Sequence, residues 1–242
     1  AIGIGYAVIT NILFFLGLFN LISYGSVLVV FIIAVLLALY VLYSLFIKSK
    51  PFSYTIYCPN YYESLMIGLL LMLFLSNIIG SLAPPTLGDS MNHHLSAPKY
   101  YGKIGGFPFI PISPWPAPGL MHVLYTQTMI LSNGVVCQVI SCFFGVVTML
   151  AVFALTSRYF GYVAGLISAV IFYSLPITTE LSTGAMVELG AAFCMVLSLW
   201  ALLKAGPEFD TRWVILSGII GGCAGATKLW ALMSGPAFIM II

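Results

Sequence analysis

Apolar residues run along this chain in long blocks separated by short polar breaks. A helix that crosses the hydrocarbon core of a bilayer needs about 20 consecutive apolar residues. The pattern predicts a first span over residues 2–20, a turn from Asn20 to Ser26, and a second run reaching Phe46 that Lys48, Lys50 and Pro51 close. A third covers 64–83 and stops at Pro84-Pro85. Further spans follow over 134–156, 162–176, 185–203 and 213–227, and 229–242 begins an eighth. Residues 120–132 read as an interfacial or re-entrant helix. The one long polar stretch is 86–119, with Asp89, His93, His94, Lys99 and Lys103 ahead of a run from Phe107 to Pro118 too rich in proline for a continuous helix. The expected fold is all-α: a polytopic transmembrane bundle of about seven to eight helices with a long loop between the third and fourth. Residues 1–50 are expected to form an N-terminal transmembrane hairpin, and 51–242 the main transmembrane region.

Composition sharpens this picture. Of 242 residues, 62% are hydrophobic and 6% are charged, whereas a soluble domain carries about 25% charged residues. So few charges cannot cover a water-facing surface, so most of the exterior meets lipid or other protein. The net charge of +2 is too small and scattered for a nucleic-acid partner. The chain starts at Ala1 and stops inside the apolar run from Phe238 to Ile242, which reads as part of a longer parent protein truncated at its C-terminus. The N-terminal run lacks a cationic start and a cleavage site, so it reads as a helix and not a signal peptide.

Charge also sets an orientation. Lys48, Lys50, Arg158, Lys204 and Arg212 fall on one side by helix parity, and Lys99, Lys103 and Lys228 on the other. The positive-inside rule places the first group in the cytoplasm. Glu63, Glu208 and Asp210 accompany it, which leaves Asp89, His93, His94, Glu180, Glu188 and Lys228 at the external face.

That external collection holds the candidate chemistry. Asp89 follows Gly88 near a helix start, where aspartate is an ordinary N-cap; alternatively it is a general base or a metal ligand. His93, four residues on, shares its face on an α-helix. Adjacent His93 and His94 point differently, so they do not readily hold one metal, and the loop offers no Cys for a closed zinc site. Oxygen and imidazole ligands for a divalent ion are present, but no motif demands one. His122 has no readable role beyond a satisfied interfacial histidine. Glu188 suits the positive end of a helix, yet a carboxylate at membrane depth is a functional candidate by default. Lys228 either snorkels to the interface or meets a lipid-borne phosphate. Tyr100, Tyr101, Phe107 and Trp115 are interfacial anchors or a stacking surface for a sugar. Gly218, Gly221, Gly222 and Gly225 give two overlapping GxxxG spacings, expected to pack helices closely. Cys58, Cys137, Cys142, Cys194 and Cys223 show no CxxC spacing and read as small hydrophobes.

The string from Asp89 to Tyr101, D-S-M-N-H-H-L-S-A-P-K-Y-Y, resembles the first external loop of GT-C superfamily membrane glycosyltransferases in their protein-mannosyltransferase and aminoarabinose-transferase-like branch. Asp89, His94, Leu95, Pro98, Lys99 and Tyr101 match its D-x-x-x-Y-H-L-x-x-P-K-x-Y pattern, with His93 in place of the common Tyr. The Pro-rich segment before Gly119 is similar to that family's Pro-containing loop. Ala185 to Leu189 is similar to its second acidic motif, with Glu188 where Asp is more usual. Gly221 to Lys228 is similar to its Gly-rich helix ending in Thr-Lys. The similarity spans roughly residues 64–235 and corresponds to the N-terminal half of such a protein.

The resemblance implies transfer of a sugar from a polyprenyl-phosphate carrier to an acceptor at the external face of a bacterial inner (plasma) membrane. In that scheme Asp89 is the general base, and His93, His94, Lys99, Glu188 and Lys228 bind substrate. Lys228, with Lys99, would stabilise charge growing on the leaving phosphate. The alternatives are a non-catalytic subunit of a larger membrane complex on the same scaffold and, less favoured, a transporter. Charges are absent from the predicted helix centres, which weighs against a transport path.

Overall fold

The computed structural model describes residues 2–48, 59–110 and 118–239. Lys50, Pro51, Cys58 and Trp115 lie outside the described residues, as does most of the Pro-rich run. Every regular element among the described residues is helical.

Helix α1 (Ile2–Leu18) and α2 (Tyr24–Lys48) are joined by a turn in which Asn20 adopts φ 56°. Asparagine tolerates that left-handed conformation better than most residues. The turn is held from outside: the Ile22 N–H donates to the Gly105 carbonyl at 3.0 Å. Tyr6, Ala7, Thr10 and Leu13 make α1 part of the core. By contrast α2 buries almost none of its apolar surface, so lipid is its natural neighbour.

Helix α3 (Tyr61–Ser81) starts at a capping box. Asn60 Oδ1 accepts from the Glu63 N–H at 2.9 Å, and Glu63 Oε2 accepts from the Asn60 N–H at 2.8 Å. Glu63 thus terminates a helix, a role that explains a buried carboxylate. At the other end, Gln138 Nε2 donates to the Ser81 and Ala83 carbonyls at 3.1 and 2.6 Å. These carbonyls lack helical partners, and in an apolar setting each must find one.

After α3 comes a single π-turn at Ser90–His94, then α4 (Ser96–Ile104), which ends on Gly105 at φ 80°. Helix α5 (Leu120–Leu131) has 12 residues, roughly 18 Å, too short to cross a bilayer. It is buried instead, with Met121 and Tyr125 fully enclosed.

Helix α6 (Gly134–Phe160) is capped by Asn133, whose Oδ1 accepts from the Val135 and Val136 N–H groups. The predicted fifth span is broken: α7 (Tyr162–Ser174) and α8 (Pro176–Thr183) meet at 64°. Leu175 is extended and Pro176 occupies the first turn of α8, where its missing N–H costs nothing.

Helices α9 (Glu188–Ala205) and α10 (Thr211–Thr227) form an antiparallel hairpin. Its middle is pinned by a reciprocal pair: Ser198 Oγ donates to the Ser217 carbonyl at 2.9 Å and Ser217 Oγ to the Ser198 carbonyl at 2.8 Å. The two GxxxG spacings contribute less than expected. A Cβ at Gly221 would lie 3.0 Å from Ser198 Oγ, but Gly218 and Gly222 face open space and Gly225 packs against Leu232 of the following turn. The serines, not a glycine seam, bring the helices together. Where the eighth helix is expected to begin, a 3₁₀ turn (Leu229–Met233) leads into α11 (Ser234–Ile239).

Among the described residues four helices are long and apolar enough to cross a membrane, Tyr24–Ser44, Tyr61–Ser81, Gly134–Phe160 and Glu188–Ala205, and the bent α7–α8 pair makes a fifth if counted as one span. The protein is an integral, multi-pass, all-α membrane protein.

Candidate functional site

Three elements converge at the end of the bundle where α9 begins and α10 finishes. The segment Gly184–Val187, which leads into α9, is held by its neighbours. Tyr125 OH donates to the Met186 carbonyl at 2.5 Å, and Ser141 Oγ donates to the Leu181 carbonyl at 2.8 Å and reaches that of Met186 at 3.3 Å. This fixes where Glu188 starts its helix. Glu188 Oε2 accepts from the Val187 N–H at 3.0 Å, which leaves Oε1 for Lys228.

Lys228 follows α10 in an extended conformation, and its ammonium forms an ion pair with Glu188. The preceding Thr227 shares a 3.0 Å hydrogen bond with Tyr6 OH, so α1 also braces this corner. Both charged side chains stay about a quarter exposed, at 26% and 29%, so the pair is reachable from solvent.

The π-turn changes which histidine faces inward. The Leu95 N–H reaches back five residues to the Ser90 carbonyl at 2.8 Å, one residue further than in an α-helix. The extra residue turns His94 into the bundle, where it is buried, and leaves His93 half-exposed. His94 Nδ1 lies 2.9 Å from Nε2 of His122, the third residue of α5. The ring planes are 24° apart and the nitrogens are in contact, so the two imidazoles meet edge to edge. His122 was unreadable in the sequence because its partner is 28 residues away.

Helix α5 reaches this corner because Gly119 has no side chain: a Cβ there would lie 2.7 Å from the Thr227 carbonyl oxygen. Burial lowers the pKa of His94, an effect that Lys228 and His93 reinforce and that Glu188 and Asp89 oppose. His122 is pushed down to about 3, chiefly by burial and then by His94. Both rings are therefore neutral near pH 7.

Asp89 stands at the same end, exposed, with helical backbone angles and no side-chain capping bond. The N-cap alternative is thereby excluded. Lys99 is exposed and lines a separate cavity of about 330 Å³ with Lys103, Met129 and Ile130. Ile130 is eight residues along α5 from His122, roughly 12 Å, so Lys99 is not gathered with Lys228. Glu180 is exposed on α8. Tyr101 is buried against Phe107, with ring centroids 5.1 Å apart, so of the adjacent tyrosines only Tyr100 is exposed. Among the described residues no group of three or more His, Cys, Asp or Glu side chains is placed to hold a metal ion. Arg158, Lys204 and Trp213 line a cavity at the opposite end of the hairpin, where the Lys204 ammonium sits 3.9 Å over the Trp213 ring.

Residues 116–242, just over half of the chain, match the dolichyl-phosphate-mannose-protein mannosyltransferase family. The chain belongs to that family. Membership supports a membrane glycosyltransferase of the GT-C type, as the resemblance implied. The matched region of this mannosyltransferase-family protein contains His122, Glu188 and Lys228, whereas Asp89 to Lys99 precede it. No curated protein and no solved structure gives a significant match.

Proposed function

We propose that the protein transfers a sugar from a polyprenyl-phosphate carrier to an acceptor at the external face of a bacterial inner (plasma) membrane. The observation that carries this reading is the meeting of Lys228 and Glu188 beside His94, with exposed Asp89 at the same end of the bundle. An acceptor hydroxyl attacks the anomeric carbon while the bond from that carbon to the phosphate oxygen breaks. Asp89 takes the acceptor proton. The electron pair leaves on the polyprenyl phosphate, and the Lys228 ammonium stabilises the charge that grows there. Glu188 orients Lys228 and offers acceptor oxygens to sugar hydroxyls, with His93 at the half-exposed rim.

Full-length protein in nanodiscs, given a labelled polyprenyl-phosphate sugar and cell-envelope acceptors, is expected to release free polyprenyl phosphate. Absence of turnover with every donor sugar, despite a folded protein, would favour the non-catalytic subunit instead.

The orientation is separately testable. In a background without native cysteines, Asn92→Cys and Glu208→Cys should react with an impermeant maleimide from opposite sides of sealed vesicles. Both positions are exposed and lie at opposite ends of the bundle. Labelling of both from one side would overturn the assignment.

A further inference from the structure

The hydrogen bonds around the two buried histidines fix where their protons lie. The Gly119 N–H, one of the unpaired donors at the start of α5, points at His122 Nδ1 across 3.3 Å. A backbone N–H only donates, so His122 Nδ1 must carry a lone pair. A neutral imidazole has one N–H, and in His122 it therefore sits on Nε2. That nitrogen is 2.9 Å from His94 Nδ1, which must then accept. His94 is left with its own proton on Nε2. Protonating His122 would set Nδ1–H against the Gly119 N–H, and protonating His94 would set Nδ1–H against the His122 Nε2–H. Burial of both rings opposes the charged forms as well.

His94 Nε2 has no protein hydrogen-bond partner among the described residues. The charged and titratable groups acting on His94 are Glu188 from α9, Lys228 beyond α10, and Asp89 and His93 on its own segment, with His122 from α5. An N–H without a protein partner, on a ring that feels the Lys228 charge, is a donor for an oxyanion that Lys228 also attracts.

We propose that His122 is a positioning residue that locks His94 as a neutral Nε2–H donor to a phosphate oxygen of the sugar carrier. This rests on the function proposed above and deepens it. It also divides the labour: His94 Nε2 has no lone pair to offer, so it cannot be the base, and that task falls to a carboxylate. A fixed neutral donor needs no proton movement when charge develops on the leaving oxygen.

The test has two arms, both on the full-length protein in nanodiscs. In the first, ¹⁵N-histidine spectra are recorded between about pH 5.5 and 8, where an ordinary histidine titrates, with His94→Phe and His122→Phe assigning the signals. Two non-titrating rings, each protonated at Nε2, are expected. A His94 that titrates or carries its proton on Nδ1 overturns the lock and leaves the proposed function standing.

In the second arm, a polyprenyl phosphate without sugar is titrated into the wild type and three variants. His94→Phe should weaken binding by roughly 10- to 100-fold, the range for a lost hydrogen bond to a charged group. His122→Gln keeps an N–H toward His94 and an oxygen for Gly119, so it should stay within about threefold of wild type. His122→Glu offers only acceptors and moves the His94 proton to Nδ1. Its affinity should fall with rising pH by about tenfold more than that of wild type, as His94 loses its Nε2 proton. Equal behaviour of His122→Gln and His122→Glu would overturn the positioning role. A wild-type protein with the assigned protons but no affinity for the lipid phosphate would sink the phosphate ligand and the proposed function together.

Discussion

Asp89→Asn is expected to lower sugar transfer by about 10²- to 10⁴-fold, the usual cost of a lost general base, while the protein folds as before. Asp89 is exposed, its backbone is already helical, and its carboxylate makes no capping bond. Nothing structural depends on its charge, and a surface substitution of this kind costs within about 0.5 kcal/mol. Asparagine is nearly the same shape but cannot accept a proton at neutral pH. Turnover measured beside thermal unfolding separates the two effects. An Asp89→Asn protein that keeps activity within a few-fold would remove Asp89 from the chemistry.

Lys228→Gln is expected to weaken binding of the polyprenyl-phosphate donor by roughly 10- to 100-fold, less than the loss of a fully buried pair costs, because both partners are partly solvated. Two effects act in the same direction. The ammonium is lost, and the Glu188 carboxylate it neutralised is left to face an incoming phosphate. The double variant Lys228→Gln/Glu188→Gln removes the second effect and should bind better than Lys228→Gln alone. Lys228→Arg restores the charge with a different shape, so it should rescue in part. Acceptor affinity should not change in any of them. Donor and acceptor titrations on the four proteins decide the matter. If Lys228 merely snorkels to the interface, Gln and Arg both bind donor like wild type.

The bundle was legible because hydrophobic block length is a direct measure of what a bilayer accepts. The prolines that end α3 could also be read, as could the division of charges between the two ends. What could not be read was set by contacts between distant parts of the chain. Whether α7 and α8 form one span or a bent pair depends on Pro176 and on what surrounds it, and the run 162–176 is apolar enough for either. The spacing from Asp89 to His93 points to His93 only if the turn is α-helical, and a π-turn hands the inward position to His94. Glu188 and Lys228 fell on one side by counting helices, but only the hairpin shows that they touch. His122 carried no local signal. Its importance comes from Gly119, whose missing Cβ lets α5 start against the end of α10.

The hairpin also imposes an order of events on synthesis. Glu188 opens α9 and Lys228 follows α10, 40 residues later. When α9 is first threaded toward the membrane, its leading carboxylate has no ammonium to meet, and none arrives until α10 has been made and has folded back along α9. Ser198 and Ser217 register the two helices midway, ahead of the closing contact at the open end of the hairpin. The ion pair is therefore a late event in biogenesis, and it forms only in a chain whose return helix has docked on α9 in register.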